Sequence, residues 1–78
     1  MKTEYKWFTL KDVSLPSRKT LWFQIKSKHG KHLGDICWHT PWRQYCFFAV
    51  ERTVFNKECL SDIQDCITQL MDERKIKK

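Results

Sequence analysis

Four cysteines and three histidines in a chain of 78 residues raise the question of zinc before any other. Structural zinc sites draw on paired ligands two to four residues apart. Here the cysteines are separated by eight, twelve and six intervening residues, which is not that pattern. Cys59 and Cys66 recur at the spacing of one helix face and read as small core residues. His29 and His32 flank a turn glycine and read as solvated. The one local pair is Cys37 with His39, on one face of an expected strand, with Cys46 on the strand beside it. Covalent catalysis needs a cysteine or serine next to a histidine, with a third group to orient the base. Both residue types are present, but in so short a chain the pattern implies no pocket. The carboxylates fall mostly on an expected solvent-facing helix stripe. Gly30 and Gly34 are the only glycines, so there is no phosphate-cradling loop. The sequence therefore assigns no catalytic residue, no metal ligand and no cofactor, and reads as a protein that binds rather than catalyses.

The remaining chemical signal is aromatic residues interleaved with basic ones. Trp7, Trp22, Gln24, Lys26, Arg43, Tyr45 and Phe47 are expected on one face of a sheet, with Lys28 and Lys31 at a hairpin tip beside it. From this set Trp22, Lys26, Lys28, Lys31, Arg43 and Tyr45 are the candidate binding residues. Exposed rings can stack on unpaired bases while lysine and arginine hold phosphates. A basic sheet can alternatively enter the major groove of duplex DNA. The same rings suit a protein partner or a homodimer, where Trp, Tyr and Arg are enriched, or a second small core under the loop at residues 14–19. No membrane and no small-molecule substrate is implied.

The elements that must position these residues can be read from periodicity. Residues 5–13 mix aromatic, β-branched and charged types and read as a strand. Residues 20–27 form the clearest one, because Leu21, Phe23 and Ile25 alternate with Trp22, Gln24 and Lys26. Lys28-His29-Gly30-Lys31 is a turn in which Gly30 supplies a positive φ cheaply. Residues 32–39 are a third strand, with Gly34, Ile36 and Trp38 on its apolar face. Thr40-Pro41 turns the chain into a fourth strand, residues 43–50, which is nearly continuous in apolar character. Residues 57–75 are a helix with Asn56 as its N-cap and Glu58 in the first turn. Cys59, Leu60, Ile63, Cys66, Ile67, Leu70 and Met71 share one arc of it. Arg74, Lys75, Lys77 and Lys78 close its C-terminal end. Short connections make an antiparallel meander the simplest topology, and the fold class is α+β: a three- to four-stranded sheet with one C-terminal helix packed on one face. The expected core is Phe8, Leu10, Phe23, Ile25, Ile36, Trp38, Phe48, Leu60, Ile63, Ile67 and Leu70.

Length fits a single domain spanning residues 1–78. Such a domain buries only about 60% of the surface its unfolded chain exposes, so its stability margin is thin. Hydrophobic residues at 41% and aromatics at 14% suffice for a packed core. The net charge of +6 is unevenly spread. Residues 1–55 hold ten basic residues and four acids, whereas residues 56–78 hold five of each. All the excess charge thus lies in the strand region, where it favours a polyanion or an acidic protein patch. No apolar run approaches the roughly 20 residues of a membrane span, and no signal-peptide core follows the basic start. A cytoplasmic protein with reduced cysteines is the expectation.

Several stretches resemble a known group. Leu33-Gly34-Asp35-Ile36-Cys37-Trp38-His39, Pro41-Trp42-Arg43-Gln44-Tyr45-Cys46-Phe47-Phe48, Thr53-Val54-Phe55-Asn56 and Cys59-Leu60-Ser61-Asp62-Ile63 are similar to small uncharacterised proteins encoded by bacteriophages, prophages and other mobile elements. The resemblance covers roughly residues 21–71. It departs at Ala49, where relatives tend to have proline, and at Cys37, where they tend to have a polar residue. It implies a phage or bacterial setting and an accessory role, and brings no activity with it. At the level of layout alone, three strands plus a helix also resemble integrase-arm DNA-binding domains.

Overall fold

A computed structural model of the protein describes residues 2–76. The expected architecture is present: β1 (Phe8–Asp12), β2 (Trp22–Ser27), β3 (His32–His39), β4 (Gln44–Ala49) and a C-terminal helix α1 (Lys57–Ile76). The strands form one antiparallel sheet in the order β1-β2-β3-β4. The C-terminal cations Lys77 and Lys78 lie outside the described residues.

Helix and sheet meet on one side. Phe8, Leu10, Phe23, Ile25, Ile36 and Tyr45 from the strands enclose Ile63, Cys66 and Leu70 from α1, with Ile25, Ile36 and Cys66 wholly excluded from solvent. Burying a side chain of this size contributes about 1.5–3 kcal/mol, which is why so small a sheet needs the helix. Asn56 caps α1 as expected, its Oδ1 accepting from the Cys59 N–H at 2.8 Å.

The turns set the register. Between β2 and β3, Gly30 takes φ 88° while the Ser27 hydroxyl accepts the Lys31 N–H at 3.0 Å. A register shift between Ile25 and Lys26 lets Lys26 pair with His32. Between β3 and β4 lies a 3-10 turn, Thr40–Trp42, closed by the Arg43 N–H to the Thr40 carbonyl at 3.0 Å. Arg43 itself is left-handed, at φ 53°.

Three expectations need correction. The first strand starts at Phe8 rather than at residue 5. The segment before it folds back on β1, with the Leu10 N–H on the Thr3 carbonyl at 2.8 Å and the Tyr5 N–H on the Phe8 carbonyl at 2.9 Å. Tyr5 is thereby buried under α1. Second, β4 has the opposite parity. Its first ladder pair is His39 with Gln44, so Tyr45 and Phe47 lie opposite Trp38 and Ile36 on the helix side, and Phe48 lies opposite Asp35 on the other. Moving the first residue of a strand by one exchanges its two faces. A strand starting at residue 43 would have turned Tyr45 outward and Phe48 inward. Instead Tyr45 is 4% exposed and Phe48 44%. Third, Leu60 is 52% exposed. At about 100° per residue it sits roughly 80° around the helix from the Ile63–Cys66–Leu70 stripe.

Candidate binding face

The side of the sheet away from α1 has no second layer among the described residues. Cross-strand pairing arranges it in rows. Trp22 lies opposite Cys37, and Cys37 opposite Cys46; Lys11, Gln24, Asp35 and Phe48 form the next row; Thr9, Lys26 and His32 form the third. His39 and Gln44 complete it at the β3–β4 turn.

At its middle is a hydrogen-bonded trio. The Trp22 indole N–H donates to Asp35 Oδ2 at 3.0 Å, and His32 Nε2 lies 2.6 Å from Asp35 Oδ1. One carboxylate thus orients two rings from neighbouring strands. The backbone of Trp22 is held by Ser14, whose hydroxyl accepts the Trp22 N–H at 2.8 Å. The Tyr45 hydroxyl accepts the Leu21 N–H at 3.1 Å from the other side of the sheet. Along the β3–β4 end runs an aromatic line. His39 makes edge-to-face contacts with Trp42, centroids 5.1 Å apart, and with Phe48 at 5.6 Å. Trp42 is 68% exposed.

Cations surround this centre. Lys11 and Lys26 lie on the face, Lys28 and Lys31 are exposed in the β2–β3 turn, and Arg43 is exposed in the β3–β4 turn. Among the described residues Lys6 lies 3.9 Å from Glu58 and His32 is hydrogen-bonded to Asp35, so these five cations have no acidic partner. Five of the nine acids belong to α1, in the opposite layer.

Five of the six sequence-derived binding residues sit on this face or its turns. Trp22 and Arg43 are at one end, and Lys26, Lys28 and Lys31 at the other, with Trp22 and Lys26 about 13 Å apart at roughly 3.3 Å per residue. Tyr45 does not belong. It is enclosed beneath α1, edge-to-face with Trp38 at 5.3 Å. Phe47 is on the same side, edge-to-face with Phe55 at 5.2 Å. Trp7 is also drawn to the helix, its indole donating to Glu58 Oε2 at 3.0 Å. In their place the face gains Trp42, Phe48, His39 and Lys11. The parity follows from the β3–β4 connection, whose four residues between His39 and Gln44 bring Phe48 outward, a length that only the strand pairing sets.

Cys37 and Cys46 face each other across the β3–β4 ladder as free thiols. Burial, and then the Asp35 charge, push the Cys37 thiol above its ordinary range, the reverse of what an activated nucleophile needs. Among the described residues no group of three or more His, Cys, Asp or Glu is arranged to hold a metal. A hollow of about 40 Å³ lies beside Trp22 and Cys37, between Leu15, Arg18 and Trp38. That is little more than the ~30 Å³ share of one water. No described helix is long and apolar enough to cross a membrane.

These features define a class: a small α+β protein whose four-stranded meander is roofed by a helix on one side and open on the other. Its sequence is 39% identical over 74 residues to a protein of Acholeplasma phage L2 described as an uncharacterised 9.3 kDa protein, covering 94% of this chain and 92% of that one. The chain belongs to the family of that phage protein. No family model matches the sequence. No solved structure matches it either.

Proposed function

We propose that the protein is a non-catalytic module that binds nucleic acid through the open face of its sheet. The observation that carries this reading is the separation of charge and rings. Trp22, Trp42 and Phe48 share one side with Lys11, Lys26, Lys28, Lys31 and Arg43, while α1 keeps five acids on the other. A polyanion is drawn to the first side, where the cations are in excess, rather than to the second, where acids and bases offset each other. Rings offer stacking surface that every base can use. The phage relative supports the setting and is silent on the ligand.

Fluorescence anisotropy with labelled oligonucleotides across a salt series tests this. Affinity should fall linearly on a log–log plot as salt rises, because neutralised phosphates release counterions. Lys28→Ala and Lys31→Ala should each flatten the slope by about one. A flat salt response, or no binding to any single or double strand, would remove the reading.

A second reading, contact with a protein partner or a second copy, draws on the sheet edges. The outer edge of β1 is sealed by residues 3–5. No strand pairs with the outer edge of β4 among the described residues, where the Tyr45 N–H meets Met71 Sδ of α1 at 3.5 Å, and Gln44–Ala49 carries no charge, proline or glycine to discourage strand addition along the rest of it. A dimeric mass by light scattering without nucleic acid would favour it.

A further inference from the structure

We infer that the open face takes single-stranded nucleic acid in preference to duplex; this rests on the nucleic-acid reading above and specifies its ligand. The distribution of groups within the face is the reason. Cations occupy its margins: Lys11 on the outer strand β1, Lys26 near the end of β2, Lys28 and Lys31 in one turn, Arg43 in the other. Between them lie Gln24, Asp35, Cys37 and Cys46, with Trp22 at the end nearer Arg43. The charged side chain carried by these strands is a carboxylate, Asp35, held by Trp22 and His32, and Arg18 of the loop before β2 lies at the end of the face beside Trp22 and Cys37. A phosphate laid across the centre meets that anion. A base laid there meets an indole, an amide and the line of Trp42, His39 and Phe48. Phosphates therefore belong at the rim and bases in the middle, the arrangement of an extended single strand with its bases turned to the protein.

A duplex fits this geometry poorly. It carries its phosphates outward and keeps its base faces stacked, out of reach of Trp42 and Phe48. Entry of the sheet into a major groove is the alternative, and that groove is about 12 Å wide, enough for an α-helix or a two-stranded ribbon. Four strands at about 4.8 Å spacing put the outer strand axes roughly 14 Å apart before side chains are added. The sheet is too broad to enter face-on. Trp42 and Phe48 keep 68% and 44% of their surfaces open, and Phe48 lies directly opposite the central Asp35. Their edge-to-face contacts with His39 fix their orientation in advance.

The test is anisotropy at low salt with a labelled 15-nucleotide single-stranded oligothymidylate and with the same strand annealed to its complement. The single strand should bind at least about tenfold more tightly. Trp42→Ala and Phe48→Ala should each weaken it between about five- and a hundredfold, as the loss of one stacked base requires, and leave the salt slope unchanged. Lys31→Ala should lower that slope by about 0.7, the value for one phosphate contact to a single strand. Phe48→Leu, which keeps bulk without a π-face, should weaken binding like Phe48→Ala, and melting curves on each variant separate this from loss of fold. Equal or tighter duplex binding overturns the inference while the nucleic-acid reading stands. Single-strand binding indifferent to Trp42→Ala and Phe48→Ala also overturns it. Binding of neither probe removes the parent reading, and this one with it.

Discussion

Replacing Gly34 with alanine tests the parity of β4, on which the composition of the open face depends. A Cβ at Gly34 would contact Phe47 Cε1, lie 2.7 Å from Phe47 Cζ and lie 2.7 Å from the Phe48 carbonyl oxygen. Unstrained carbon contacts are about 3.5–4.0 Å. The Phe47 ring is backed edge-to-face by Phe55, and the carbonyl belongs to the β4 backbone, so relief requires moving the strand. Overpacking of this kind costs about 1–3 kcal/mol. The smaller backbone entropy of alanine returns roughly 0.5–1 kcal/mol. A net loss of about 1–2 kcal/mol should lower the melting temperature by about 5–15 °C in a domain of this size. Thermal melting followed by circular dichroism reads it directly. Phe48→Ala, on the open face, should cost about 1 kcal/mol through its edge-to-face contact with His39, whereas Tyr45→Ala should cost about 3–5 kcal/mol. Because Phe47 supplies part of the clash, Gly34→Ala should cost less in a Phe47→Leu background than alone. A neutral Gly34→Ala together with a Phe48→Ala loss above 2 kcal/mol would reverse β4. The exposed aromatic line would then not exist.

Three further outcomes follow from the helix layer. The Tyr5 hydroxyl donates to Asp65 at 2.9 Å and accepts from Gln69 at 3.1 Å, so Tyr5→Phe should cost about 1 kcal/mol near neutral pH. Burial first, then Cys66 and Asp65, raise the Tyr5 pKa well above 10. The unfolded chain ionises there while the folded one cannot, so its contribution is intact below pH 10 and is lost above it, at up to about 1.4 kcal/mol per pH unit. Urea midpoints at pH 7 and pH 11 should show the gap between wild type and Tyr5→Phe closing at the higher pH; a constant gap would refute this. Asn56→Ala should cost about 1 kcal/mol through loss of the cap on Cys59, read as a shift in the same midpoint. Finally, Cys66 is wholly enclosed and burial raises its thiol pKa. A colorimetric thiol reagent should modify it only after denaturation, while Cys37, Cys46 and Cys59, which are partly exposed, react in the native protein.

The sequence by itself determined the class of fold, the order of the elements and most of the core. Period-2 alternation in β2 and the 100° arc of α1 state which side of each is buried, because a side chain's face depends only on its own element. It also placed the excess positive charge among the strands, and with it Lys26, Lys28 and Lys31. It could not decide β4, where Tyr45, Cys46, Phe47 and Phe48 are apolar on both parities. There the face is chosen by the pairing of His39 with Gln44 across a turn held by a left-handed Arg43, and a one-residue ambiguity at the turn exchanges the two sides. Nor could alternation show that residues 3–5 fold back to seal β1, since that depends on Tyr5 finding Asp65, Cys66 and Gln69 some 60 residues away. Tertiary pairing alone therefore decided which rings the open face presents, exchanging Tyr45 for Phe48.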